Sequence, residues 1–276
     1  MTNQIRFLNQ TGRSPSARIF GDLGKLRADA AVGKCLFFFD DFGTTTRHAG
    51  SSASGGYFTI QENSSTIQGK GTVADLGVEL GVLQVNTNTT DASECHIQFG
   101  DGLPFRIDNA AGNTAALGFE VRLAVNTVAD TRLNMFVGLG GPIVAAAHVG
   151  AAGALLATAS FIGFNQIEDD GNQMDSMYQA ISQTQVQVLA NAVTLVADTY
   201  INLGFRYRPG DIAAKKIRFY VNGVESNTFV TETNIDAATF PEGEALAPML
   251  LTENAAGTAN IISIDWMGAY QYNANE

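Results

Sequence analysis

Residues 200–230 read YINLGFRYRPGDIAAKKIRFYVNGVESNTFV. Tyr200–Tyr207 and Lys216–Val221 are short runs rich in aromatic and β-branched side chains, and Asn222-Gly223 follows the second directly. Asn-Gly accepts the positive φ of a two-residue type I′ turn, so this stretch predicts an antiparallel hairpin. The same grammar extends in both directions. Phe119–Val125 (FEVRLAV) alternates, with Phe119, Val121, Leu123 and Val125 on one face. Asn134–Leu139, Phe161–Ile167, Val186–Val196, Phe229–Thr231, Pro248–Leu251 and Ile261–Tyr270 continue the series. Helical spacing is confined to Ala17–Ala31, where Ile19, Leu23 and Leu26 fall at i, i+4 and i+7, and two glycines weaken it. About 12–14 strands without alternating helices predict an all-β sandwich or jelly roll. The domain is expected to begin near Cys35–Phe42 and to end at Tyr270–Tyr272, with residues 1–34 as an N-terminal arm and 35–276 as the body. His48–Gly56 (HAGSSASGG) reads as a flexible loop.

Composition narrows the function. The chain has 276 residues, is 45% hydrophobic and only 16% charged, with a net charge of −11. That apolar content excludes global disorder, and the scarcity of Glu, Lys and Arg excludes a coiled coil. A strongly acidic chain repels phosphate, so nucleic acid is not an expected partner. The charge is uneven: residues 1–34 hold six basic and two acidic side chains, and the remainder ten basic and 25 acidic. Arg6, Arg13, Arg18, Lys25 and Arg27 on the arm are the candidate partner-binding residues. They make either a solvated tail or an arm that docks on an acidic surface, a neighbouring copy's body included.

The opening MTNQIRFLNQTGRSPSAR lacks an apolar core, so no signal peptide is expected and the chain is read as cytosolically made. Cys35 and Cys95 are then expected to be free buried thiols. Ile143–Ala159 is a 17-residue apolar run that includes His148; it is Ala/Gly-rich and shorter than the ~20 strongly apolar residues of a span, so no membrane partner is expected.

Chemical motifs are thin. Asp169, Asp170, Asn172 and Asp175 could offer oxygens to Ca²⁺, but the spacing fails the EF-hand pattern and the simpler reading is hydrated turn residues. Asp101 and Asp108 are similar turn carboxylates. His48, His96 and His148 are dispersed, and Cys95-His96 are strand neighbours facing opposite ways, so neither zinc nor a Cys/His dyad is expected. Gly138-Leu139-Gly140-Gly141 follows a strand, but Pro142 and an Ala-rich run stand where a phosphate-binding helix would begin. Trp266 lies in an alternating terminal strand and is expected in the core; Tyr270 and Tyr272 are weaker sugar-stacking candidates.

The order FFFDDF, GFEVRLAV, FIGFNQIEDDG, DTYINLGFRYRP, KIRFYVNGVES, APMLLTEN and IISIDWMGAYQ resembles concanavalin A-like (laminin-G/lectin-type) jelly rolls over about residues 37–272. More narrowly, it is similar to head decoration (cement) proteins of tailed bacteriophages. That resemblance implies a virion structural protein on the capsid exterior, made in the host cytoplasm and bound to the major capsid protein as a homo-oligomer, with a trimer expected. It implies no enzyme activity and no cofactor. Jelly-roll glucanases carry a Glu-x-Asp-x-x-Glu strand, and this sequence has none. On the decoration reading, the Ala-rich run packs near a symmetry axis or against a capsid subunit; otherwise it forms strands closing the sandwich edge. The alternatives are a glycan-binding (lectin-like) module or adhesin of the virion surface, and, further off, a glycoside hydrolase.

Overall fold

The computed structural model describes residues 15–41, 54–55, 58–62, 72–75, 82–87, 93–99, 104–129, 133–142, 155, 157–167, 171–254 and 260–273. Two antiparallel sheets face each other. The front sheet runs β14 (Val224–Val230), β13 (Ile217–Val221), β12 (Ile201–Tyr207), β7 (Leu117–Val125), β16 (Ile261–Tyr272), β5 (Leu83–Asn86) and β4 (Thr72–Asp75), and β1 (Cys35–Asp40) pairs with the second half of β16. The back sheet runs β11 (Val186–Thr194), β10 (Gln173–Gln179), β9 (Phe161–Gln166), β8 (Leu133–Gly140), β15 (Ala247–Asn254), β6 (Ser93–Phe99), β3 (Phe58–Glu62) and β2 (Ser54–Gly55). The all-β jelly-roll expectation is therefore met. Cys35 pairs with Tyr272, so the first and last strands of the body lie side by side.

Inward side chains from both sheets form one core. Phe119, Val121, Leu123 and Val125 face it together, as their alternation requires. Phe119, Phe205 and Phe219 make a chain of rings 5.6 and 5.7 Å apart along the front sheet. Phe164 of the back sheet meets Phe219 edge-on at 5.5 Å, which joins the two layers. The hairpin at 222–223 forms as its sequence demands: φ is 50° at Asn222 and 73° at Gly223. The Asn222 Oδ1 also accepts from the Asn202 amide at 3.0 Å, tying the turn to β12.

Three expectations change. The single helix over 17–31 is two, α1 (Ala17–Phe20) and α2 (Leu23–Ala31). Gly21 takes φ 61°, and the Asp22 carboxylate restarts the helix by accepting from the amides of Gly24 and Lys25. Trp266 is fully buried but outside the sandwich interior. The register of β16 against β7 shifts between Ile264 and Trp266, so Ile262 and Ile264 face inward, then Met267 and Ala269. That bulge turns Trp266 to the outer face, where it stacks on Phe39 at 5.8 Å. Within His48–Gly56, read as loop, residues 54–55 form β2.

Candidate functional site

The outer face of the back sheet carries chemistry that its strands place by alternation. On β6, Cys95, Ile97 and Phe99 enter the core, so Glu94, His96 and Gln98 take the other face. Pairing across the sheet lines up His96, Leu251, Phe136, Asn165 and Asp175 in one row, and Gln98, Met249, Gly138, Gly163 and Met177 in the next. Glu94 and Glu253 are direct cross-strand partners, which sets their β-carbons about 5 Å apart. The His96 Nε2 lies 2.7 Å from a Glu94 carboxylate oxygen. All of these residues with side chains are buried. Phe136, Phe161, Met177, Met249 and Leu251 form a second apolar cluster there, capped by Leu155 and Ala159. The described end of the Ala-rich run thus packs on the flat of its own sheet; residues 143–154 and 156, His148 included, lie outside the described residues. Two carboxylates and an imidazole could exchange protons, but this face is filled by the protein's own side chains.

The two described Ca²⁺ candidates, Asp175 and Asn172, are held by protein partners. Asp175 is central in β10, where it accepts from the Asn191 amide at 2.8 Å and from the Gln187 carboxamide. It is a strand residue, because Gln173–Gln179 pairs with both β9 and β11. Asn172 donates to the Leu195 carbonyl at 2.9 Å. Asp169, Asp170 and Asp101 lie outside the described residues, as does His48. Among the described residues, no three His, Cys, Asp or Glu side chains gather as metal ligands, and no helix is long and apolar enough to cross a membrane. Asp108 caps its own turn by accepting from the Ala110 amide at 2.8 Å. Cys35 and Cys95 are both buried and outside any disulfide. Burial raises the Cys35 thiol above its ordinary pKa, with Asp29 adding to the effect.

The outer face of the front sheet is covered by the described half of the arm. Gly204, Glu120 and Gly268 form one row across β12, β7 and β16, and Arg206, Gly118 and Tyr270 form the next. Polar or aromatic side chains thus alternate with bare backbone. Each of the three side chains binds a main-chain group of the arm. Glu120 accepts from the Ser16 amide at 2.7 Å, Arg206 Nη1 donates to the Arg18 carbonyl at 2.6 Å, and the Tyr270 hydroxyl donates to the Ile19 carbonyl at 2.9 Å. The glycines make room for the arm's side chains. A β-carbon would meet the body first and then the arm: at Gly204 the Phe119 carbonyl at 2.5 Å and the Ile19 Cδ1 at 2.6 Å, at Gly118 the Tyr270 ring and then the Ile19 Cγ2 at 3.0 Å, and at Gly268 the Phe39 ring at 2.8 Å and the Phe20 ring at 3.1 Å. Burial beneath α1 pushes the Glu120 carboxyl up to about 8, with the Ser16 N–H pulling the other way.

Among the predicted arm residues, Arg18, Lys25 and Arg27 are exposed on the solvent side of this docked segment, next to exposed Lys34; Arg6 and Arg13 lie outside the described residues. Tyr270 and Tyr272 are not open platforms: Tyr270 is buried under Ile19 and Phe20, and the Tyr272 hydroxyl reaches Asp29 at 3.2 Å. The Glu94–His96 pair, Glu120 and the glycine pattern went unnoticed in the sequence. The SECHIQF alternation was the available signal for the first.

No family model matches the chain, and no curated protein matches it. Solved structures do. An endo-1,3-β-glucanase from Streptomyces sioyaensis aligns with a TM-score of 0.55 at 16% identity, covering 87% of this chain and 98% of that one. Peanut lectin in complex with a 9-residue peptide aligns at 0.52 and 15%, covering 87% and 98%. A protein of unknown function from Shewanella oneidensis MR-1, SO2946, aligns at 0.50 and 13%, covering 88% of each. At these identities the likeness establishes the fold alone, a concanavalin A-like jelly-roll sandwich.

Proposed function

We propose that this chain is a non-enzymatic binding protein and, more narrowly, a decoration (cement) subunit on the exterior of a phage head. It would attach to the major capsid protein as a homo-oligomer, a trimer on the resemblance noted above. The observation that carries the reading is that, among the described residues, the middle strands of both sheets are covered on their outer faces by the protein's own side chains, the back sheet by Leu155 and Ala159 over Met249 and Leu251, the front sheet by Ile19 and Phe20 over its glycines. A jelly roll whose flat faces are already filled presents loops, edges and the docked arm to a partner instead of an open sugar cleft. Exposed Arg18, Lys25, Arg27 and Lys34 give that surface a positive charge on an otherwise acidic body, which suits an acidic partner. Modest contacts repeated over an oligomer would hold neighbouring capsomers by avidity.

The test is density-gradient fractionation of lysate from the native source. Comigration with DNA-filled particles in a fixed ratio to the shell protein supports the reading; recovery only in soluble fractions defeats it.

A second reading, a glycan-binding module of the virion surface, draws on one observation. Phe37 and Phe39 stack at 6.2 Å with a 9° interplanar angle, are only partly buried, and continue to Trp266. Stacked, half-open rings suit the apolar face of a sugar. Named structural neighbours include a lectin and a glucanase, which keeps this reading in view. A glycan array probed with and without Ca²⁺ decides it: no hits under either condition removes it.

A further inference from the structure

The cations among the described residues fall into two groups. On the body, Arg122 holds Asp265, Arg206 and Arg218 share Asp211, Arg218 also holds Glu225, Lys216 holds Glu232, and Lys215 lies over the Phe229 ring. Arg18, Lys25, Arg27, Lys34, Arg106 and Arg208 are exposed and have no carboxylate within ion-pair distance. All six border the docked arm. Arg18 is on α1, Lys25 and Arg27 are on α2, and the Lys34 carbonyl accepts from the Asn273 amide just beyond β16. Arg208 stands one step past the Tyr207–Leu117 pair, and its charge is felt at Tyr270 beneath α1. The Gln271 carboxamide brackets the Arg106 main chain. The two acids of residues 15–34 are engaged: Asp22 caps α2, and Asp29 accepts from the Tyr272 hydroxyl. Like charges gathered on one side of a chain of net charge −11 repel one another, and an acidic partner relieves that repulsion.

The scaffold beneath these cations is fixed. α1 is held by three main-chain bonds, and α2 by buried Leu26, whose carbonyl accepts from the Cys35 thiol. A partner would therefore order side chains alone, not a loose segment. Two aliphatic side chains accompany the charge: Val32, 68% exposed, between Arg27 and Lys34 in sequence, and Leu36, 44% exposed, the cross-strand partner of Gln271. Exposed aliphatic carbon beside cations suits a protein. Single-stranded nucleic acid is held by cations together with stacking rings, and no aromatic ring is exposed among the described residues. A long polyanion would also run over the acidic body, whereas a short segment meets only the local charge, because physiological salt screens beyond about 8 Å.

We infer that the surface around α2 docks an acidic protein segment that carries both carboxylates and aliphatic side chains. The carboxylates meet the six cations, and the aliphatic groups cover Val32 and Leu36. The assignment rests on the binding-protein reading above and names the chemistry of its partner.

Fluorescence anisotropy on the full chain tests it, with a labelled peptide of four Glu-Glu-Leu repeats as the probe. Peptides of four Glu-Glu-Ser repeats and an oligothymidylate of equal charge are the comparisons. Lys25→Glu/Arg27→Glu is expected to weaken binding of the Glu-Glu-Leu peptide about tenfold, and Val32→Ser about threefold, with the urea midpoint unchanged because all three side chains are exposed. The Glu-Glu-Ser peptide should bind more weakly and ignore Val32→Ser. Unchanged affinity in the charge-reversed variant overturns the inference. So does an oligothymidylate that binds as tightly as the peptide and is lost in the same variant, which would assign the surface to nucleic acid. Peptide binding with the stated losses, in a chain that stays out of particles, leaves the surface standing and removes the decoration reading. Comigration with particles that persists in the charge-reversed variant, without peptide binding, does the reverse.

Discussion

The Ser16 amide donates to the Glu120 carboxyl at 2.7 Å, joining the arm to the centre of the front sheet across 104 positions of sequence. The docked arm covers that carboxyl completely, and burial raises its pKa from 4.5 to about 8. The docked state therefore holds a proton that the undocked carboxyl would release between those values. Docking is strongest below pH 4.5, weakens as pH rises towards 8, and changes little above it. The cations on the same face have their own acidic partners: Arg122 pairs with Asp265 and Arg206 reaches Asp211. Amide hydrogen exchange over Ser16–Phe20, corrected for intrinsic rates, is expected to show greater protection at pH 5 than at pH 8.5. Glu120→Gln flattens the dependence. Equal protection of the unmodified chain at both pH values contradicts the assignment.

Ile19→Ala removes a side chain 1% exposed and seated against two glycines. It is expected to cost about 2–5 kcal/mol of docking, as a buried Ile truncation does. The loss should appear as trypsin cleavage at Arg18 and Lys25 at a rate well above that of the unmodified chain, while the fluorescence of Trp266 still reports a folded body.

On the back sheet, Gly138 and Gly163 are cross-strand partners whose backbones crowd each other. A β-carbon at Gly163 would stand 2.3 Å from the Val137 carbonyl and 2.7 Å from the Gly138 Cα. Gly163→Ala is expected to destabilise the fold by about 1–3 kcal/mol or more, read as a shift in the urea midpoint. A neutral result would mean that β8 and β9 part without cost.

These sites show where the sequence was readable. Strands β7, β12, β13 and the Asn222-Gly223 turn follow from alternation and turn chemistry, since each buries one apolar face. β10 did not read as a strand, because QMDSMYQ places Asp175 and Gln179 on the outer face and that face is buried too. Trp266 is buried as its strand pattern suggests, but the face it takes was not legible, because a bulge is invisible to a period-two pattern. Glu120 drew no attention among alternating residues of FEVRLAV; only the arm, distant in sequence, makes it unusual. The glycines at 118, 204 and 268 carry no signal in the sequence, because only the segment lying over them gives their positions a meaning.

Asn222→Ala tests the turn. Alanine loses the bond from the Asn202 amide and must hold φ near 50°, so about 1–2 kcal/mol of stability is expected to go. Thermal unfolding followed through Trp266 measures it, and an unchanged midpoint would show that the turn does not constrain the hairpin.

The central claim is that this jelly roll works as a structural binder on an assembled particle, and fractionation of the native lysate tests it most directly. The account predicts that the chain, followed by mass spectrometry, sediments with DNA-filled particles in constant ratio to the most abundant shell protein. Its appearance in soluble fractions alone would contradict the claim and leave glycan binding as the reading to pursue.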